Sequence, residues 1–265
     1  MIKQRSTIET LYKQFDQLTE KSHNQWVKEI LTIQKGFPLI SYRTRQTGQA
    51  IWILAGIHGD EPAGPMAISL SIDLLLKYGQ HHPMIILPLC NPFGYYHEMR
   101  YPDGSNSVGD NEWLLREGQP RPSLPEAQVL SFYVLEQIKL YPPHTVIDLH
   151  EDMLSHQSYI YSYSRKDHLA QVALMALIEA NFPPTSHGST RFGEKIIDGI
   201  VHVAHDGSID ELFSTHQIIR SGQKIKGPHA KSVLVIETPG WAPLLDRVLA
   251  QMVVIETLLK VSTVT

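Results

Sequence analysis

The sequence predicts an α/β protein in which a largely parallel or mixed sheet is covered by helices on both faces. Apolar runs without alternation, "AIWILAG", "MIILPLC", "TVIDLH" and "SVLVIE", read as strands buried on both sides. Stretches with helical spacing separate them, which is the alternation expected of helices packed on a sheet. Several of the runs close on a titratable residue, namely His58, His150 and Glu237. In open α/β sheets ligands bind beyond the carboxyl ends of the strands, so residues placed there can converge.

Taken in order, Ser6, Thr7 and Glu9 start an amphipathic helix whose apolar positions are Ile8, Leu11, Tyr12, Phe15 and Leu18. A second helix is expected near Trp26 to Gln34. "PLISYRT", "RQTGQ" and "AIWILAG" read as a hairpin with the second strand more buried. Pro62 opens the first long helix, carrying Ala63, Met66, Ala67, Leu70 and Leu74. The "MIILPLC" strand leads into a long loop from Asn91 to about Ser123, then a helix over "LPEAQVLSFYVLEQI". After "TVIDLH" come a strand at "SYIYSYS", a helix around His168 to Asn181, a variable middle, the "SVLVIE" strand and a last helix from about Pro243 to Lys260. No internal repeat or low-complexity linker interrupts the chain, and its 265 residues are expected to form one domain.

Composition narrows the class. A formal net charge of -4, with acids and bases dispersed, gives no basic face for nucleic acid or an anionic membrane. The opening "MIKQRSTIETLYKQF" lacks the apolar core of a signal peptide, and no stretch reaches the roughly 18 apolar residues of a membrane span. A cytoplasmic location is therefore expected. Cys90 is the only cysteine, which excludes an intrachain disulfide and any multi-cysteine metal site; it reads as a small buried apolar residue.

"ILAGIHGDEPAG" is the most specific stretch, because a buried strand ends on His58 and Glu61 follows where a helix begins. A hydrolytic zinc ion takes three protein ligands from His and Asp or Glu and leaves a fourth position for water. His58 and Glu61 can reach one ion together, and His150 can supply a third ligand from a neighbouring strand. An H-x-x-E is expected on the order of once by chance in a histidine-rich chain of this size. The joint pattern with "DLHED" and "ETPG" is what favours a metal site over satisfied core histidines.

"HGDEPAG", "NPFGYYHEMR", "DLH" and "IETPG", in that order, resemble the zinc carboxypeptidase family, including its peptidoglycan-peptide amidase branch and its aspartoacylase and succinylglutamate desuccinylase branch. "SLPEAQVL" is similar to a helix start found between the second and third of these motifs. The resemblance runs from about Ile51 to Trp241. It implies a three-layer α/β/α sandwich around a mixed, mostly eight-stranded sheet. It also implies that His58, Glu61 and His150 hold one zinc ion, that Glu237 moves a proton from water to the leaving amine, and that Arg100 polarises the scissile carbonyl. Without the resemblance, Glu237 reads as a buried strand-end carboxylate and Arg100 as a solvated loop arginine. Asp148 points to the same face of its strand as His150, either to orient that imidazole or to make a simple buried hydrogen bond.

Two departures from the family stand out. Where ordinary members carry an asparagine and arginine that grip a terminal carboxylate, the chain reads "SVGDNEW", with Asn111 followed by Glu112 as the substrate-binding candidates. A glutamate repels a carboxylate at short range. Either Arg116, Arg121 or Arg191 takes over, or the substrate presents an amine or polar group; Asp110 and Glu112 could alternatively hold a second metal. The proton-donating tyrosine also lacks a counterpart in the segment from Arg191 to Gly227, where only His202, His205 and His216 offer a substitute. The expected function is a zinc-dependent carboxypeptidase or peptide amidase that hydrolyses an amide bond in a small peptide, a cell-wall peptide among the candidates. The alternatives are an N-acyl amino acid deacylase with the same ligand set, and a binding protein of the same fold without turnover.

Overall fold

The computed structural model describes residues 4–101, 115–116, 119–120, 125–164, 167–203, 205–220 and 223–262. The elements are α1 (Ile8–Glu20), β1 (Trp26–Gln34), β2 (Phe37–Thr44), β3 (Ala50–Ala55), α2 (Ala63–Leu70), α3 (Ile72–Gly79), β4 (Met84–Leu87) and α4 (Pro92–His97). The short pair β5 (Leu115–Arg116) and β6 (Gln119–Pro120) comes next, then α5 (Pro125–Gln137), β7 (Pro143–Asp152), β8 (Tyr159–Ser162) and α6 (His168–Glu179). The chain ends with β9 (His187–Ser189), β10 (Lys195–Ile197), β11 (Ile200–His202), α7 (Ile209–Ser214), β12 (Gln217–Arg220), β13 (Gln223–Lys226), β14 (Ser232–Pro239) and α8 (Leu244–Ser262).

Ten strands form the main sheet, in the order β1-β2-β4-β3-β7-β14-β8-β11-β10-β9. It is mixed: β4, β3, β7 and β14 run parallel to one another, β1 and β2 are antiparallel to their neighbours, and β8 is antiparallel to β14 but parallel to β11. The expected count of eight falls short because β9, β10 and β11, only three residues each, extend the edge from the segment read as a variable middle. Helices α1, α2, α3, α6 and α8 pack on one face through Phe15, Met66, Leu75, Leu177 and Val254 against Ile53, Leu149 and Ile236. Helices α5 and α7 cover the other through Leu130, Val134, Leu212 and Phe213 against Trp52, Leu54 and Val146. The class is the expected sandwich.

Local chemistry explains the elements that position the rest. Thr7 caps α1 by accepting from the Thr10 backbone N–H at 3.3 Å, and Ile8, Leu11, Phe15 and Leu18 bury its inner stripe. The stretch from Trp26 to Gln34 is a strand, contrary to the helix expected there. It pairs antiparallel with β2 from Trp26↔Thr44 to Gln34↔Phe37, turning at Lys35 and Gly36. Both turn residues have positive φ, 48° and 89°, the geometry of a tight hairpin matched to strand twist. The expected β2–β3 hairpin is also corrected, because β4 lies between these strands. The long Pro62 helix breaks at Ser71 into α2 and α3, and the supposed loop after Asn91 begins with the helical turn α4.

Trp52 is fully buried in β3. Its indole N–H donates to the Tyr141 carbonyl at 3.1 Å, and its ring meets Phe213 of α7 and Tyr133 of α5 edge-on at 5.1 and 6.4 Å. Such contacts add to the gain from burying the ring itself. Trp52→Ala is expected to cost about 3–5 kcal/mol in urea unfolding.

Candidate metal centre

The parallel register of β3, β7 and β14 brings three strand ends to one edge of the sheet. Ala55 of β3 lies opposite Leu149 of β7, and His150 lies opposite Glu237 of β14. The "HGDEPAG" turn leaves β3 at this edge. Gly56 turns it with φ +65°, and the Asn91 and Cys90 N–H groups donate to the Gly56 and Ala55 carbonyls at 2.8 and 3.0 Å.

The turn is tied to the other motifs by backbone polar groups. Arg100 O accepts from Gly59 N at 3.1 Å and from the Asn91 side-chain amide at 3.1 Å. Asn91 also caps α4 by accepting from Gly94 N at 2.8 Å. The Arg5 guanidinium donates to Gly59 O at 2.6 Å and to Tyr95 O, and it lies 3.7 Å from the Tyr95 ring centroid. Pro62 gives the helix that follows no side-chain cap. Glu151 of β7 supplies one instead, accepting from Ala63 N at 2.7 Å while its other oxygen pairs with Arg247 of α8.

His58, Glu61 and His150 converge, all three buried, with one ligand atom from each inside a 4.8 Å span. His58 Nδ1 lies 2.7 Å from Glu61 Oε1, His150 Nδ1 lies 2.9 Å from Glu61 Oε2, and the two Nδ1 atoms are 3.1 Å apart. Donors bound at about 2.0–2.2 Å to a tetrahedral ion stand roughly 3.3 Å from each other, so these three fit one small cation after a slight expansion. Two buried ring nitrogens facing each other across a carboxylate need a proton or a cation between them. His150 Nε2, on the far side of the ring, is 3.2 Å from Asp148 Oδ2. The His150 carbonyl accepts from Gln251 Nε2 at 2.9 Å. Glu61 Oε1 also accepts from Arg100 Nη1 at 2.7 Å, and Glu61 Oε2 accepts from Glu151 N at 3.1 Å.

The charges follow from this crowding. Burial by itself would raise the Glu61 carboxyl, but His58 and His150 hold it well below the ordinary range. Burial likewise works against a charged His150, and Asp148 and Glu61 reverse it, so its pKa stands well above that of a free imidazole. Glu237 sits beside them with Oε2 unpartnered among the described residues. Burial pushes its pKa up to about 8; His150 and His58 pull against this, and Glu61 and Asp152 reinforce it.

A cavity of about 220 Å³ opens over the cluster, lined in part by Arg100, Tyr159, Tyr161, Tyr163, Arg191, Glu194, Asp206, Asp210 and Glu237. The three tyrosines alternate along β8 and its extension, which puts them on one face, and Tyr159 lies opposite Glu237. These tyrosines lie before the segment from Arg191 to Gly227 in which the family resemblance places one, and the period-two spacing in "SYIYSYS" is their sequence signal. None of His202, His205 and His216 lines the cavity: His205 pairs with Glu211 at 3.0 Å and His216 packs on His229. Arg191 does line it. Asp110, Asn111, Glu112 and Arg121 lie outside the described residues, as does the Arg116 side chain.

Solved structures share this architecture. A candidate metallopeptidase from Shewanella amazonensis SB2B is 21% identical with a TM-score of 0.81, the match covering 96% of this chain and 92% of that one. A metallo-carboxypeptidase from Burkholderia cenocepacia is 13% identical at TM-score 0.65, over 98% and 70% of the two chains. Carboxypeptidase A from Helicoverpa armigera is 14% identical at TM-score 0.65, over 99% and 73%. The fold is thus carboxypeptidase-like. Residues 47–194 match the model of the succinylglutamate desuccinylase/aspartoacylase catalytic domain, and the chain belongs to that family. No curated protein matches it in sequence.

Two outcomes follow from the geometry. A Cβ on Gly59 would lie 2.1–2.4 Å from backbone atoms of Gly94, Tyr95 and Met99. Gly59→Ala is therefore expected to displace the turn, lowering the melting temperature and weakening metal uptake in a titration with zinc. Secondly, a carboxyl whose pKa rises on folding favours the folded state at low pH and loses that contribution as pH rises toward its folded value. Without metal, Glu237→Gln is expected to melt above the parent at pH 8, with the gap shrinking toward pH 5.

Proposed function

We propose that the protein is a zinc-dependent amide hydrolase that splits a small peptide or acyl amino acid at the His58–Glu61–His150 site. The single observation that carries this reading is the convergence of those donors beside Glu237, whose Oε2 has no hydrogen-bond partner among the described residues, in one cavity. Two imidazoles and a carboxylate form a donor set suited to zinc, which when bound acts as a Lewis acid and makes hydroxide available near pH 7.

The chain's own residues would do the remaining work. Glu237 accepts a proton from the attacking water and delivers it to the departing amine nitrogen, a role its raised pKa suits. Arg100 supplies fixed positive charge beside the cluster for the oxyanion that develops at the carbonyl. Asp148 lies behind the His150 ring at Nε2 and leaves Nδ1 turned toward Glu61, where it would serve as a ligand. Glu151, Arg247 and Gln251 hold the strand end rigid, and the tyrosine face of β8 walls the cavity against bulk water.

Peptide cleavage in the manner of a carboxypeptidase or peptide amidase is supported by "NPFG" and "IETPG" and by the neighbours' architecture. N-acyl amino acid deacylation is the second reading, favoured by the family match over residues 47–194. A parallel screen of short peptides, muropeptides and N-acyl amino acids with the zinc-loaded protein separates the two. No helix of the described residues is long and apolar enough to cross a membrane.

The purified protein is expected to hold one zinc per chain by metal analysis, and His150→Ala to lose it. Glu237→Gln should keep the zinc and drop kcat by about 10²–10⁴-fold. A variant that loses Glu237 and hydrolyses every substrate at the parent rate would support a binding protein without turnover instead.

A further inference from the structure

Gly59 lies between two of the proposed ligands, His58 and Glu61, and both polar groups of its backbone are held from outside the turn. Its N–H donates to Arg100 O at 3.1 Å, and its carbonyl accepts from Arg5 Nη2 at 2.6 Å. The same nitrogen donates to Tyr95 O in α4, the guanidinium lies 3.7 Å from the Tyr95 ring centroid, and the Tyr95 hydroxyl donates back to Ser6 O at 2.9 Å. Arg5 and Ser6 lead directly into α1, whose Leu11 and Phe15 are buried in the core. The segment before α1 is therefore stapled to the metal turn at one end and anchored in the sandwich at the other. The turn and α4 meet backbone to backbone, since a Cβ on Gly59 would overlap Gly94, Tyr95 and Met99. Glycines at such a contact offer no side chains to interlock, and a bridging donor takes their place.

We propose that Arg5 is a positioning residue for the metal centre: by bridging Gly59 O and Tyr95 O it fixes the His58–Glu61 turn against α4, and so sets the spacing of two ligands and of Arg100. The assignment rests on the metal-site reading above and gives the segment before α1 a role in ion binding beyond stability. Arg100 is included because its carbonyl accepts from Gly59 N while its Nη1 donates to Glu61 Oε1 at 2.7 Å. A cation donating to carbonyls makes charge-assisted bonds, about twice as strong as neutral ones, and here they act where moving either carbonyl moves the ligand turn. Groups that orient metal ligands from behind change affinity by roughly 10–100-fold when removed. A lysine ammonium could reach both carbonyls but could not lie flat on the Tyr95 ring, so it replaces Arg5 only in part.

The test compares zinc dissociation constants, from competition with a chromophoric chelator, and melting temperatures of the metal-free full chain. Arg5→Met keeps an unbranched stem and removes the donors; it is expected to weaken zinc binding by roughly 10–100-fold, and Arg5→Lys by less. Asp167→Ala is the control for stability alone. Asp167 caps α6 by accepting from Leu169 N at 2.9 Å and also accepts from Ser232, which starts β14 at the end away from Glu237. This variant should melt below the parent and bind zinc as the parent does. Zinc binding by Arg5→Met within about twofold of the parent, or an equal loss in Asp167→Ala, overturns the assignment. Should Arg5→Met fail to fold, Arg5→Lys decides, with a loss of at least about threefold expected and parental affinity overturning it. If the parent takes up no zinc, or His150→Ala takes up as much, the metal-site reading fails instead. Amide exchange over residues 53–64 of the metal-free chain then judges the staple: faster exchange in Arg5→Met than in Asp167→Ala supports it, and equal exchange overturns it.

Discussion

Everything at the site depends on the parallel register of β3, β7 and β14. Parallel strands end together only if the ladders between them hold, and here the pairs Ala55↔Leu149 and His150↔Glu237 fix the three ends at one edge. A slip of one residue would turn His150 and Glu237 to the opposite face and dissolve the cluster. The apolar residues sandwiched on both sides of these strands, Trp52, Leu54, Val146, Ile147, Leu234 and Ile236, oppose that slip, since none can reach water without a large cost. Core packing and site geometry are in this sense one constraint.

Polar groups at the edge divide into those the fold satisfies and those it leaves poised. Glu151 caps α2, binds Arg247 and thereby links the β7 strand end to helices on one face of the sheet. Gln251 and Thr238 both contact the His150 carbonyl, and Asn91 with Gly59 shares the Arg100 carbonyl. These bonds satisfy the His150 and Arg100 carbonyls and the first N–H of α2. Beside them the Nδ1 atoms of His58 and His150 face each other across Glu61, and Glu237 Oε2 has no hydrogen-bond partner among the described residues. Because protons compete with a cation for the same nitrogens and carboxylate, ion binding at this edge must weaken as pH falls.

Most of this edge was legible in the sequence because buried strands and their terminal residues obey simple rules. Four apolar runs became β3, β4, β7 and β14, and the titratable residues at or just beyond three of them, His58, His150 and Glu237, line one cavity. What sequence could not give were contacts set by pairing across distance. Trp26 to Gln34 is amphipathic enough for either period, and only the Lys35–Gly36 turn and β2 settle it as a strand. The strand order, with β4 inserted between β2 and β3, and the short strands β9 to β11 carry no strong local signal. Arg5 on the Gly59 turn and Asp210 in the cavity wall are likewise invisible locally, since each acts on partners far along the chain. The tyrosines of β8 are legible by their period-two spacing, but they precede the segment in which the family's motif order places its tyrosine.

The central claim is that two imidazoles and one carboxylate share a single ion with a position left for solvent. X-ray absorption spectroscopy of the zinc-loaded protein reads that coordination directly. The expected spectrum shows four or five nitrogen or oxygen neighbours at about 2.0–2.2 Å, with outer-shell scattering from two imidazoles that falls to one in His58→Ala. A zinc environment without imidazole scattering, or one unchanged by that substitution, would contradict it.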